Sequence, residues 1–306
     1  MAFMTAWLAF QTFAAADTLP AEGAAPYPPV ESALSEDGMH YNDGSMMISI
    51  ETETVEDTKV FWVSVEITDP SQIRTAMAGA MGSKVLAQPT AIAKRDNAVL
   101  AINGDWFTSH NTGIVYRHGK QWRNVPAYTR DTLIIDENGD LHILAFDRGT
   151  PKDRMAAALD AFLEEHTIRE AFAFGPGLII DGVKQEINYR EKVSCDAMNK
   201  AQRTVFCQTG PLEYLFLVTE GPEQFEPGFT VPECADLLEK RGGILQAYNL
   251  DGGNSSQIIL CGEKINAAEY EKARNIADMI CFATTVAPGQ TAEAEETDRT
   301  EAEKDE

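Results

Sequence analysis

Gly243-Ile244-Leu245-Gln246-Ala247-Tyr248-Asn249-Leu250-Asp251-Gly252-Gly253-Asn254-Ser255-Ser256 is an apolar run that breaks off into a carboxylate, two glycines and two hydroxyls. A strand that ends this way delivers an acid, backbone N–H groups and two serine side chains to one spot. Asp-Gly and Gly-Asn are also hairpin signals, so the stretch taken alone fits an ordinary turn equally well. Its surroundings favour a site. A helical segment, Cys234–Arg241, and a Gly242-Gly243 stop precede it, and the same order of parts occurs upstream: a helix-compatible Thr90–Asn97, the apolar Ala98-Val99-Leu100-Ala101-Ile102, then Asn103-Gly104-Asp105-Trp106-Phe107. Two helix–strand units thus each end in an Asn and an Asp beside glycine.

Outward from these units, Met46–Glu53 and Val60–Thr68 alternate apolar and polar side chains, the period of half-buried strands. Further strands are expected at Thr132–Asp136, Leu141–Ala145, Ala171–Phe174, Gly177–Ile180, Arg203–Gln208 and Leu212–Thr219. Met155, Leu159, Phe162 and Leu163 recur at helical spacing and predict a core-facing helix over Lys152–Thr167. Strands outnumber helices without a strict βαβ alternation. The predicted fold class is α+β: a large mixed, partly antiparallel sheet flanked by helices, in a single main domain.

Four segments are expected. Residues 1–16 carry no charge and run from Trp7-Leu8-Ala9-Phe10 to Ala14-Ala15-Ala16, which reads as a signal or remnant membrane anchor, with a hydrophobic first helix as the alternative. Residues 17–39 are a Pro/Ala/Glu-rich linker, 40–287 the folded domain, and 288–306 an acidic tail too poor in apolar side chains to order. The expected location is therefore extracellular or the cell envelope, with membrane contact only through an N-terminal anchor. A net charge of −23, from 25 basic and 48 acidic residues, excludes a nucleic-acid surface. Cys195, Cys207, Cys234, Cys261 and Cys281 contain no C-x-x-C pair; one or two disulfides or buried free thiols both fit.

Three carboxylates fall at strand ends beside glycine: Asp105, Glu220 and Asp251. Converging carboxylates are what glycosyl transfer requires, one as acid and one as base or nucleophile. Arg203 and Arg274 are candidate anion binders, because a guanidinium forks onto phosphate. His110 and His118 flank Asn111-Thr112-Gly113 as candidate acid/base groups. No H-x-x-x-H or H-E-x-x-H spacing occurs among the five histidines, which disfavours a zinc hydrolase and leaves the expected metal set as none.

Taken in order, Ala101–Phe107 with Gly113 and Gly119, Phe174-Gly175-Pro176-Gly177 with Asp181-Gly182, Arg203-Thr204, Glu220-Gly221, Gly228-Phe229-Thr230 with Glu233, Asn249–Ser256, and Arg274 resemble the phosphodiester glycosidase family. That is the group of N-acetylglucosamine-1-phosphodiester alpha-N-acetylglucosaminidase and its bacterial envelope relatives, many linked to exopolysaccharide. The resemblance spans about Tyr41 to Ala287. It implies hydrolysis of a sugar-1-phosphodiester at the anomeric carbon, releasing sugar and phosphomonoester. It also implies a catalytic set of Asp251, Asp105 and Glu220, with Asn103, Arg203, Thr204, Gly252, Gly253, Ser255, Ser256 and Arg274 binding substrate. Asn254 stands where a third glycine is usual and Glu220 where Asp is usual. On this reading Arg203, the Gly253 and Ser255 amides and the serine hydroxyls grip the phosphate, while Asp251 and Asp105 face the anomeric carbon. No motif requires a cofactor; a divalent cation sharing the phosphate is compatible. The expected partner is a phosphoglycan or another sugar-phosphodiester substrate. The alternatives are non-catalytic binding of phosphate-bearing glycans and a metal-dependent phosphodiesterase.

Overall fold

The structure, a computed structural model, describes residues 26–187, 195–266 and 274–289. The expected leader over 1–16, the linker up to residue 25 and the tail beyond 289 lie outside the described residues. The described part of the linker packs on the domain: the Val30 N–H donates to Tyr41 Oη at 3.0 Å, and Asn97 Nδ2 donates to the Pro26 carbonyl at 2.8 Å. Among the described residues, no helix is long and apolar enough to cross a membrane.

The α+β expectation is met by three helices and three sheets, and every described ladder is antiparallel. The first sheet has the order β1 (His40–Asn42), β2 (Met46–Val55), β3 (Thr58–Ile67), β14 (Glu213–Thr219), β13 (Thr204–Gly210), β15 (Gln246–Asn249), β11 (Gly177–Ile180), β12 (Val183–Lys184). The second runs β7 (Lys120–Val125), β6 (Gly113–Arg117), β10 (Ile168–Phe172), β8 (Thr132–Asp136), β9 (Leu141–Leu144). The third runs β17 (Glu263–Lys264), β16 (Ile258–Leu260), β5 (Leu100–Asn103), β18 (Asp278–Phe282), β4 (Ile73–Met77).

Side chains alternate between the two faces of each strand, so the central strands, covered on both sides, are buried nearly throughout (β5, β14 and β18), whereas the edge strand β7 and the far half of β2 keep exposed side chains. In the first sheet, Phe61, Val63, Phe206, Phe216 and Val218 point into a core shared with Leu100, Ile102 and Phe282 of the third sheet and Leu133, Ile135 and Phe172 of the second. The intervening Val60, Trp62, Val205, Cys207, Leu215 and Leu217 pack outward on α3 (Val231–Arg241) through Cys234, Ala235 and Leu238. Likewise α1 (Pro89–Arg95) covers the outer face of the third sheet through Ile92 and Ala93, and α2 (Lys152–Glu165) covers the second through Leu159. One common core makes the three sheets a single cooperative unit. α3 begins at a reciprocal capping box between Thr230 and Glu233 and ends at Gly242, whose φ of +74° only glycine adopts at little cost.

Cys207, Cys234 and Cys281 are buried free thiols and Cys261 is a half-buried one, so these four form no disulfide. Burial pushes the Cys261 thiol up to about 11, which keeps it protonated and unreactive at neutral pH.

Candidate active site

Strand ends from all three sheets meet at one cavity of about 750 Å³, lined by Trp106, Arg130, Arg203, Asn249, Asp251 and Gly252 among others. Asn103 closes β5, Asn249 closes β15, and Arg203 immediately precedes β13. The two sequence units singled out above thus arrive side by side.

A buried polar network joins them. Asn103 Nδ2 donates to the Asp251 carbonyl at 2.7 Å, while Asn103 Oδ1 accepts from Thr204 Oγ1 at 2.9 Å and from the Gln257 N–H at 3.3 Å. Ser256 Oγ lies 3.0 Å from Thr204 Oγ1. Asn103, Thr204 and Ser256 are each no more than 2% exposed; they clamp the Asp251 loop from behind and do not line the cavity. Gly104 and Gly252 are required by close approach. A Cβ on Gly104 would sit 2.6 Å from the Asp278 carboxyl carbon, and one on Gly252 would sit 2.8 Å from the Gln202 carbonyl oxygen.

Asp251 is the cavity's buried acid. Burial pushes its carboxyl up to about 6, against the pull of the Ser255 hydroxyl, Arg274 and the Gly252 amide. A carboxyl titrating there can hold or release a proton near neutral pH, which suits a general acid or base. The nearby cations are arginines. Arg203 is held by Nε donation to the Phe229 carbonyl at 2.9 Å and Nη2 donation to the Asn199 carbonyl at 2.5 Å, with Nη1 beside Gly252. Arg274 stacks over Trp106, its guanidinium carbon 4.0 Å from the ring centroid. Arg130 lines the same cavity.

Asp105 occupies a different place from the one its sequence position suggests. It is fully buried: Oδ1 accepts from Arg117 Nη2 at 2.8 Å and from the Phe107 N–H at 3.1 Å, and Oδ2 accepts from the Ala173 N–H at 2.6 Å. Arg117, also fully buried, binds Asp278 Oδ2 at 2.6 Å through the same Nη2 and lies over the Phe172 ring at 4.3 Å. Burial pushes the Asp278 carboxyl up to about 7 despite Arg117, with Asp105 adding to the rise. Two carboxyls thus share one cation and one of them tends to keep its proton. The consequence for the cavity is indirect: by accepting the Phe107 N–H, Asp105 closes the turn in which Trp106 sits at φ +49°, where its ring forms cavity wall.

Other expected roles move as well. The Gly253 N–H donates to the Gln202 carbonyl at 2.9 Å and the Ser255 N–H to the Gly252 carbonyl at 3.3 Å, so neither amide is turned to an incoming phosphate. Glu220, buried at the end of β14, lies in the field of Lys264 and does not line the cavity. His110 is kept neutral, pushed down to about 4 by burial and by Arg130 and Arg123. His118 sits 3.6 Å from Glu170 at the start of the β6–β7 turn, away from the cavity lining.

Sequence reasoning missed Arg130, Trp106, Arg117 and Asp278 as parts of this arrangement. Arg130 stands in a loop with no motif around it, where a lone arginine reads as a surface cation. Asp278 did carry a signal: a carboxylate in the apolar run Ile276-Ala277-Asp278-Met279-Ile280 asks for a buried partner.

Several solved structures share this fold, among them the two that follow. The zebrafish N-acetylglucosamine-1-phosphodiester alpha-N-acetylglucosaminidase catalytic domain, auto-inhibited by its pro-peptide, aligns over 82% of this chain and 87% of its own at 18% identity, with a TM-score of 0.60. A hypothetical protein from Synechocystis aligns over 78% of this chain and 62% of its own at 16% identity, with a TM-score of 0.55. No curated protein matches the sequence at a significant level. The phosphodiester glycosidase family model matches residues 96–283, more than half of the chain. The chain belongs to the phosphodiester glycosidase family, which supports a general glycosidase-type activity.

Proposed function

We propose that this protein hydrolyses a sugar-1-phosphodiester at the anomeric carbon, in an extracellular or cell-envelope glycan, releasing sugar and phosphomonoester. The observation that carries the reading is a buried carboxyl, Asp251, raised to about 6 in a cavity also lined by Arg203 and Arg130, with Arg274 at its edge. The leaving phosphate is already stable as an anion, so the larger demands are to hold it and to steady positive charge on the sugar. Arg203 and Arg130 hold the phosphate, with Arg274 closing over it from Trp106. Asp251, ionised, supports the oxocarbenium-like sugar or deprotonates the attacking water. Asp105 takes part as a positioning residue, through the turn that presents Trp106. The location rests on the uncharged apolar run at residues 1–16.

The protein, incubated with UDP-N-acetylglucosamine and with a GlcNAc-alpha-phosphodiester in the presence and absence of chelator, should release free sugar and intact phosphomonoester in both conditions. Sugar phosphate that disappears with chelator would instead identify a metal-dependent phosphodiesterase. Tight binding without product from any sugar phosphodiester tried would leave a glycan-binding protein.

A further inference from the structure

Far from the cavity, the chain gathers a second set of chemically capable side chains at the edge of the second sheet. Asp136 ends β8, His142 lies on β9, and His166 follows the last residue of α2. His142 Nε2 is 3.1 Å and His166 Nδ1 3.3 Å from the same oxygen, Asp136 Oδ2, and one donor atom from each of the three residues lies within 4.8 Å of the others. No helical H-x-x-x-H spacing produces this; the β8–β9 hairpin and the end of α2 do.

We propose that Asp136, His142 and His166 form a divalent transition-metal site, with zinc the expected ion. Three features separate it from a pair of histidines hydrogen-bonded to an acid. First, both imidazole nitrogens stand from the Asp136 oxygen at close to the separation of ligands on one ion: at about 2.0–2.2 Å from a tetrahedral centre, ligands are roughly 3.3–3.5 Å apart. Second, His166 Nδ1 is a buried nitrogen with no hydrogen bond, although the Asp136 oxygen is 3.3 Å away. Nitrogen and oxygen lie close without one being aimed at the other, as co-ligands of a third atom do. Third, the set is held from outside. Asp136 Oδ1 accepts the Asn138 and Asp140 N–H groups at 2.8 and 2.9 Å, and Phe162 stacks on His166 at 4.8 Å and meets His142 edge-on at 5.0 Å. Such outer support fixes ligand orientation.

The donor chemistry selects the metal. Two imidazoles and one carboxylate suit zinc and its neighbours, whereas calcium and magnesium take oxygen ligands. Asp136 is buried, while the imidazole side chains are 32% and 30% exposed, so the cluster lies just beneath the surface. Glu137 Oε1, 3.9 Å from His166 Nδ1, is the nearest further donor. The role assigned is structural: the ion ties the end of α2 to the β8–β9 hairpin. β8 separates the site from Arg130 by six residues, about 20 Å at ~3.3 Å per residue, so the inference does not depend on the sugar chemistry.

The test uses the untagged full chain, stripped with chelator and dialysed. Titration calorimetry with Zn²⁺, Mg²⁺ and Ca²⁺ should show one equivalent of zinc with micromolar or tighter affinity, and neither alkaline-earth ion competing. Zinc at about 100 times its Kd should raise Tm by on the order of 5 °C. In the His142→Gln/His166→Gln variant, zinc affinity should fall at least 100-fold and the zinc-dependent rise in Tm should vanish, while sugar release is unchanged. Circular dichroism of both stripped proteins guards against misfolding. The proposal is overturned if stripped wild type binds no zinc, or if the variant binds it as tightly, which would place the ion on thiols or acidic segments. Equal binding of calcium would overturn the choice of metal.

Discussion

Asp251→Asn should produce a protein that is nearly inactive and more stable. The carboxyl's rise from its ordinary 3.8 to about 6 means the fold opposes its ionised form by about 3 kcal/mol, at about 1.36 kcal/mol per tenfold. The sign follows from linkage. An acid whose folded pKa is raised keeps its proton longer in the native state, so stability is complete below about 4 and is lost as pH rises from there to about 6. Above that range the full penalty is present, and an uncharged isostere relieves it. Asparagine is not a protonated acid, so the gain at pH 7.5 should be about 1–3 kcal/mol, or roughly 2–10 °C in Tm. It should shrink toward zero near pH 4. Against this, losing a general acid or base costs about 10²–10⁴-fold in kcat, about 3–5 kcal/mol of barrier. The assay pairs sugar release at saturating substrate with denaturant melts of both proteins at pH 4, 5.5 and 7.5. Activity above about a tenth of wild type, or a stability deficit at pH 7.5, would refute the reasoning.

Asp105→Asn should behave in the opposite way, losing about 3–5 kcal/mol because Arg117 and Asp278 are left imperfectly paired in the interior; a melt as stable as wild type would rule out a structural role for Asp105. Asp278, raised from 3.8 to about 7, works in the same direction as Asp251, so it should make the wild type lose stability between about pH 4 and 7, and Asp278→Asn should flatten that slope in denaturant melts. Arg130→Ala should raise KM roughly 10–100-fold, the worth of one charge-assisted hydrogen bond, with Tm unchanged, as steady-state kinetics on a sugar phosphodiester would register. Gly252→Ala, which drives a methyl to 2.8 Å from the Gln202 carbonyl, should reduce kcat/KM by 10-fold or more, an order-of-magnitude expectation for a displaced catalytic loop.

By itself the sequence determined the local elements and the approximate address of the site. Period-two and helical spacing placed strands near Met46–Val55, Thr58–Ile67 and Glu213–Thr219 and the helices near Lys152–Glu165 and Val231–Arg241, because burial of one face is written in neighbouring residues. Asn103–Phe107 and Asn249–Ser256 were legible as site loops because glycine beside a carboxylate at a strand end has a local cause. The division of the strands into three sheets was not legible, since antiparallel partners such as Asn103 and Met279 lie far apart in the chain. Nor was the difference between two similar acids. Asp251 and Asp105 follow the same pattern of residues, yet Asp251 faces a cavity and Asp105 an arginine that also binds Asp278, 161 residues beyond that arginine. The meeting of Asp136, His142 and His166 has the same origin. Exposure, charge and the protonation that follows belong to the whole packed assembly, because desolvation and Coulomb energy depend on everything within a few ångströms, and chain order does not specify what comes that close.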